Sequence, residues 1–573
     1  MRRAVLTTLL WAVPLLAAPA QAWGDLADRV ALREVLRSHA RAATARSVTL
    51  PLPEPLRAPT ASNSGELAAI ARSDEAARLL VGVRAHRDLR GVAGALRRIG
   101  PRPEAFRGIG VLAARVPSAA AAVARLRADP RVAYVERDRR LRLAQGDPFD
   151  VVDPLTGIKY TWAYDEVRAG DALAAARGGS RRTVAVLDTG VDVNHPELVG
   201  RIGRTFDTAS GGADVTDVVG HGTFVTGLIS AIEGNGIGGK GVAGATQVMA
   251  VRGSTDGSFT IADLLRGMDF AVSRGADVLN LSLAGETFSL SQARALDGAF
   301  INGVLSVAAS GNKGDHGNPL AFPAAALGGE RGGRGIGLSV AATRPDGAAA
   351  PFSSHNAYVS LAAPGAGSTG CPFGVFSTLP AGRSEWDDPL RSCSLTFPRG
   401  GARYAYGEGT SFATPIAAGI AALTWQVEPR LASEQVADVL VRSARQTVGT
   451  GWNEFTGAGI VDGAAAAALA RRYDVTAPRV RAKLRRRGNR VAVRVLRSGD
   501  RTEGGRELAG EMSYGLFVSR DGGRSFNRAV RQRARPFRTT LLIRGSETNV
   551  VAAIACDGNV NCGVKRVGRF RRR

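Results

Sequence analysis

Three short segments set polar side chains among glycines, directly beside apolar runs. Asp188-Thr189-Gly190 follows Val184-Ala185-Val186-Leu187, and Gly220-His221-Gly222-Thr223 opens the apolar stretch Phe224–Ser230. Gly409-Thr410-Ser411-Phe412-Ala413-Thr414-Pro415 leads into a small-residue helix running from Ile416 to Trp425. A serine hydroxyl is a weak nucleophile until a base stands beside it. An imidazole can be that base, and a carboxylate can hold its tautomer. Each segment alone also has a bland reading: a turn-capping Asp, a structural His, a helix-capping Ser. Of the six histidines only His221 has glycine on both sides. His39 and His86 lie in the N-terminal region, His316 and His355 in polar loops, and His195 precedes Pro196 in a turn-like loop. In the order Asp, His, Ser, with gaps of 33 and 190 residues, the three form a candidate nucleophile, base and orienting acid.

Together with Ala308-Ala309-Ser310-Gly311-Asn312, these segments resemble in order the motifs of the subtilase (subtilisin-like, peptidase S8) family. The resemblance covers roughly residues 160–472. It implies a serine endopeptidase in which Ser411 attacks the peptide carbonyl, His221 moves the proton and Asp188 orients His221. It also implies that the Asn312 amide and the Ser411 backbone N–H stabilise the developing oxyanion. Asn280-Leu281-Ser282-Leu283-Ala284-Gly285 is similar to the family's first specificity pocket, with Ser282, Leu283, Ala284 and Gly285 as substrate-binding candidates. Ala284 stands where glycine is common, which narrows that pocket. Ser258, after Asp256-Gly257, resembles the strand that pairs with extended substrate, and Phe224 replaces a second histidine frequent in the histidine motif. Glu197 and Asn235 roughly match a family calcium loop, with Glu where Asp is usual. The resemblance thus allows a structural calcium while implying no cofactor for catalysis. An α/β-hydrolase esterase is excluded, because Ser411 lacks the Gly-x-Ser-x-Gly setting and the triad order differs. The intact set of residues favours catalysis over an inactive protease scaffold kept for binding.

The elements that must position these residues are legible as patterns. Val184–Leu187, Val248–Val251, Val278–Leu283 and Val304–Ala308 read as buried strands, alternating with helical stretches at Ala262–Ser273 and Ala293–Asn302. That alternation predicts a mostly parallel sheet covered on both faces. The expected fold class is α/β, a subtilisin-like three-layer fold. Residues 77–143 read as strand, helix, two strands, helix, strand, and Val132-Ala133-Tyr134-Val135-Glu136-Arg137-Asp138 resembles the family's inhibitory propeptide. Residues from Thr476 onward alternate with period two and predict a β-sandwich-like domain. The expected organisation is 1–22 signal peptide, 23–76 linker or pro-region broken by Pro51, Pro53, Pro55 and Pro59, 77–145 propeptide domain, 146–472 catalytic domain and 473–573 basic β domain. Autoprocessing is expected between Leu143 and Gly146.

Composition sets the compartment. Arg2-Arg3, an apolar run from Ala4 to about Ala18 and Ala20-Gln21-Ala22 form an export signal with a cleavage site. The run is too short to span a bilayer, so a secreted product is expected. The four cysteines allow three pairings, and export favours two local disulfides, within Cys371/Cys393 and Cys556/Cys562. Without a CxxC or suitably spaced His, zinc is not expected. Of the net charge of +24, the last hundred residues hold +17, from 25 Lys and Arg against 8 Asp and Glu. Arg485-Arg486-Arg487 and Arg571-Arg572-Arg573 come without a nucleic-acid motif or interleaved aromatics. The expected partners are therefore protein or peptide substrates, the chain's own propeptide and an anionic surface polymer, for a monomer that binds no nucleic acid.

Overall fold

In the computed structural model of the chain, the described residues are several of 26–35, then 76–143, 161–367, 374–499 and 513–570, each with short internal gaps. The export signal, Asn235, Cys371, Cys393, the segment after Leu143 and the terminal Arg571-Arg572-Arg573 lie outside them.

Residues 77–137 run β1 (Ala77–Val83), α1 (Leu89–Leu96), β2 (Glu104–Phe106), β3 (Val111–Val116), α2 (Ala119–Arg127) and β4 (Val132–Arg137), with β5 (Arg140–Leu143) following. The first four strands form an antiparallel sheet in the order β2-β3-β1-β4. Leu79, Val81 and Val83 on one face of β1 pack with Val92 and Leu96 of α1 and Val123 and Leu126 of α2.

Nine further strands follow: β6 (Thr183–Asp188), β7 (Ile202–Asp207), β8 (Gln247–Arg252), β9 (Ser258–Thr260), β10 (Val278–Leu281), β11 (Leu283–Ala284), β12 (Leu305–Ala309), β13 (Gly337–Thr343) and β14 (Leu361–Pro364). Seven of them form one sheet in the order β14-β13-β12-β10-β6-β8-β7, with every pairing parallel. The apolar runs are continuous because both faces are covered. Along β6, Val184 and Val186 face one cluster with α3 (His221–Ser230), while Ala185 and Leu187 face another with α4 (Ile261–Ser273) and α5 (Leu290–Ile301). Helix α6 (Thr410–Val427) lies on the α3 side. The winding reverses between β6 and β10, so Asp188 at the carboxyl end of β6 sits where open α/β sheets place their sites.

An antiparallel sheet of β15 (Val375–Leu379), β16 (Ser394–Thr396) and β17 (Arg403–Gly407) packs on α3. Ser377 and Thr378 hydroxyls donate to the Phe224 and Thr223 carbonyls, at 2.7 and 2.9 Å. Helix α7 (Ser433–Ser443) follows.

The C-terminal strands are β18 (Arg479–Arg487), β19 (Arg490–Gly499), β20 (Ser513–Ser519), β21 (Asn527–Gln532), β22 (Phe537–Leu542), β23 (Asn549–Cys556) and β24 (Cys562–Phe570). They form two antiparallel sheets, β18-β19-β22 and β21-β20-β23-β24, which share a core of Val491, Val493, Leu516, Leu541, Val551 and Ala553. Strand β23 is buried throughout because its two faces serve different partners. Val551, Ala553 and Ala555 face the sandwich core, while Val550, Ala552 and Ile554 join the α4–α5 cluster of the parallel sheet. Cys556 and Cys562 are disulfide-bonded.

Candidate active site

Asp188 at the end of β6 meets His221, the first residue of α3, and Ser411 is the second residue of α6, next to Phe412, whose ring lies against that of His221. His221 Nδ1–H donates to Asp188 Oδ1 at 2.7 Å, and the Thr189 N–H donates to the same oxygen at 2.8 Å. All three residues are buried. Burial alone would push the His221 imidazole down, but the Asp188 carboxylate outweighs it, so its pKa stands above the ordinary value, with Glu385 and Asp217 adding in the same direction.

Close backbone approach explains the glycines. A Cβ on Gly222 would lie 2.1 Å from the Gly190 carbonyl oxygen, so the aspartate and histidine motifs interlock only without it. Asp217, which the sequence did not single out, ties this junction together. Its carboxylate accepts from the Thr189 hydroxyl, the Val219, Gly220 and Thr223 N–H groups and the Thr223 hydroxyl, at 2.6 to 3.1 Å. Its one sequence signal is its place four residues before His221, where the backbone N–H groups at a helix start lack partners.

Ser411 is fixed by an unusual use of proline. Pro415 lies inside α6, five residues after its start. Having no N–H, it leaves the carbonyl four residues back without its helical donor. That carbonyl belongs to Ser411, and the Ser282 hydroxyl fills the role at 2.7 Å. Asn280 Nδ2 in turn donates to Ser282 Oγ at 3.0 Å, and Ser411 Oγ donates to the Ser282 carbonyl at 3.2 Å. On either side of Ser411, Thr410 holds Asn312 and the Phe412 ring lies 5.3 Å from the His221 ring. Phe412 also packs on Phe224, which stacks on Trp386. Phe224 therefore serves as core where the family often has a second histidine.

Two buried nitrogens at this junction have no hydrogen-bond partner: His221 Nε2 and Asn312 Nδ2. The Asn312 orientation is set by its neighbour, because Oδ1 accepts from the Thr410 N–H and hydroxyl at 2.9 and 2.8 Å. The first can accept a proton and the second can donate to an anion. Buried polar groups are rarely left so unless a ligand completes them. The arrangement can deprotonate a serine and stabilise an oxyanion, the two needs of acyl transfer.

The substrate-binding candidates divide. Ser258 on β9 and Leu283 and Ala284 on β11 flank β5 in a three-stranded antiparallel sheet, β11-β5-β9. Leu143 pairs with Leu283, and Arg142 lies between Ala284 and Ser258. A strand of the chain itself thus lies between the two segments expected to pair with substrate, ending one residue short of alignment with Ser282. Gly285 instead pairs through both backbone groups with Phe322, at 2.8 and 2.9 Å.

Of the two residues in the calcium match, one is described. Glu197 is fully buried and accepts from the Tyr404 hydroxyl at 2.8 Å, while Asn235 lies outside the described residues. Among the described residues no group of three His, Cys, Asp or Glu is placed to hold a metal. His195 is structural: Nε2 donates to the Arg403 carbonyl at 3.1 Å, and Nδ1 accepts the Glu197 N–H at 3.2 Å.

Comparison with known proteins agrees with the resemblance. The model described as the subtilase family matches residues 179–459. The M-protease of Shouchella clausii (strain KSM-K16) is 32% identical over 343 residues, covering 60% of this chain and 75% of that protein. Subtilisin E of Bacillus subtilis (strain 168) is 30% identical over 354 residues, covering 60% and 78%. Among solved structures, fervidolysin from Fervidobacterium pennivorans, described as a keratinolytic enzyme related to subtilisin, aligns with a TM-score of 0.56. That alignment covers 87% of this chain and 92% of that one at 19% identity, a likeness of fold.

Proposed function

The chain belongs to the subtilase family and is a serine endopeptidase, and we propose that Asp188, His221 and Ser411 are its triad, with Asn312 as oxyanion donor, in a secreted and autoprocessed zymogen. The observation that carries this reading is the pair of buried, unpartnered nitrogens, His221 Nε2 and Asn312 Nδ2, on residues that contact Phe412 and Thr410, the two chain neighbours of Ser411. In the reaction, His221 Nε2 takes the Ser411 Oγ proton as Oγ adds to the peptide carbonyl. The carbonyl oxygen, now negative, accepts from Asn312 Nδ2. Collapse expels the amine, which receives the proton from His221, and water then repeats the sequence on the acyl-serine. Asp188 holds the Nδ1–H tautomer through its 2.7 Å bond.

The zymogen reading is supported by where residues 77–143 lie. Glu136 caps the start of α5, accepting from the Ser289 hydroxyl at 2.7 Å and from the Leu290 and Ser291 N–H groups at 3.1 and 3.0 Å. Asp138 does the same for α4, accepting the Ala262 N–H at 2.8 Å. Carboxylates at helix starts answer both the unpaired N–H groups and the dipole, so the domain docks on two helices of the enzyme while β5 fills the cleft. Self-cleavage within 143–146 leaves this domain as a product-like inhibitor.

The C-terminal domain is proposed to hold an anionic surface polymer. Arg481, Lys483, Arg485 and Arg487 alternate along β18 as exposed cations, and Arg490 and Arg494 on β19 are exposed opposite them. Like charges facing each other across strands destabilise a sheet, and a polyanion relieves that. Its check is retention on immobilised polyanion that is lost as salt rises.

A fluorophosphonate tests the catalytic assignment, because it reacts only with an activated serine. Labelling of the processed protein is expected on the peptide containing Ser411. Labelling of another residue, or none, overturns the assignment.

A further inference from the structure

Two arginines of the N-terminal region point into the protein. The described residues among 26–35 are helical, and Leu26, Arg29, Val30 and Arg33 fall at i, i+3, i+4 and i+7, on one helix face. Arg33 is 1% exposed, as are Val30 and Val35. Ala31 and Val35 lie off that face and are buried too, so the helix fills a slot rather than resting on a surface. The sequence read this region as linker, because a buried face carrying two arginines does not register as apolar.

The slot lies at a seam. Val30, Ala31 and Val35 share one apolar cluster with Leu296 and Phe300 of α5 and with Phe517 and Ile554 of the C-terminal sheet. Arg33 forks onto Glu434 at the start of α7, with Nη1 2.7 Å from Oε2 and Nη2 2.5 Å from Oε1, and its guanidinium lies 5.3 Å over the Phe300 ring. Arg29 pairs with Asp297 on α5. Beside Glu434, Gln435 Nε2 donates to Asn561 Oδ1 at 2.6 Å, joining α7 to the C-terminal domain. Taking a guanidinium and a carboxylate together out of water is offset only by near-ideal paired geometry. An incidental contact would have turned both arginines to solvent. Here two arginines meet two buried carboxylates on two separate helices, and the planar fork of Arg33 matches Glu434 oxygen for nitrogen.

We infer that this slot is a second docking site for the pro-region, with the 26–35 helix as its occupant, and that it retains the pro-region after the bond beyond Leu143 is cut. The timing rests on the zymogen reading above; the slot does not. Cleavage frees β5 at one end only, and the 26–35 helix holds the other end against a different part of the enzyme. Release of the inhibitor then requires a further cut or displacement of this helix from the seam.

The test uses the full chain carrying Ser411→Ala, with a recognition sequence for a site-specific protease inserted in the proline-rich stretch 51–59. After cutting, the N-terminal fragment is expected to co-elute with the remainder on size exclusion at micromolar protein. Arg29→Ala combined with Arg33→Ala is expected to weaken that binding by about 100-fold or more, and Glu434→Gln in the same sense. Separation of the unmutated fragment overturns the inference, and the unmutated chain decides it even where a variant misfolds. Equal retention of fragments with and without the arginines overturns the role given to the ion pairs. Self-cleavage is read separately from the mass of the wild-type protein, so failure of the zymogen reading and an unoccupied slot give different results.

Discussion

Replacing Ser411 by alanine is expected to lower kcat by about 10⁶-fold, the order measured for the subtilisin triad, and to leave the chain uncut after Leu143. The substitution removes one hydroxyl, which donates to the Ser282 carbonyl at 3.2 Å. The bond that holds the backbone, from the Ser282 hydroxyl to the Ser411 carbonyl, does not involve the deleted atom. The fold should therefore survive, with residual activity of about 10³–10⁴ over water from the remaining oxyanion donors and substrate binding. The measurement is the intact mass of the purified wild type and variant, beside peptide hydrolysis by each. Wild type is expected to lose the segment that ends within 143–146, and the variant to keep it. If both keep it, self-processing at this site is wrong; if both lose it, another protease makes the cut.

Why Ser411 was legible and Asp217 was not follows from what each must satisfy. Ser411, His221 and Asp188 need close backbone approach, so glycines accumulate around them and stand out against apolar runs. Asp217 works by collecting N–H groups from a loop, and a lone aspartate in a loop carries no pattern. The parallel sheet was readable because strands covered on both faces become continuous apolar runs. The β15–β17 sheet was not read, since its segments are short and sit beside polar loops. Strand β23 was visible as a strand, but nothing in its sequence separates the face toward the sandwich core from the face toward α5. Pro415 shows a local rule overridden: proline is unfavourable inside a helix, yet here the carbonyl it leaves open is the one Ser282 uses to fix the nucleophile. Glu197 kept its place in the matched loop, while Tyr404, from a strand 207 residues away, supplied its partner. Such long-range pairings leave no spacing to find.

The same dependence on an exact partner governs Asp188. Its Oδ1 accepts from both His221 Nδ1 and the Thr189 N–H, so an amide in its place is driven to keep its oxygen toward the Thr189 donor. In Asp188→Asn that oxygen still accepts from His221 Nδ1–H, but no negative charge is left to stabilise the imidazolium that forms when His221 takes the Ser411 proton. A loss of about 10⁴-fold in kcat at neutral pH is expected, the size seen when this carboxylate is removed from a serine triad. The pH profile separates this from simple misplacement. His221 must be neutral to act as base, and burial pulls its pKa down while Asp188 pulls it up more strongly. Wild-type kcat/KM is therefore expected to be full at alkaline pH and to fall as pH drops through an inflection above 6.5, the ordinary imidazole value. Without the carboxylate, burial is opposed only by the weaker pull of Glu385 and Asp217, and the inflection should move down. A variant that loses activity while keeping the wild-type inflection would show that Asp188 positions the ring without setting its charge.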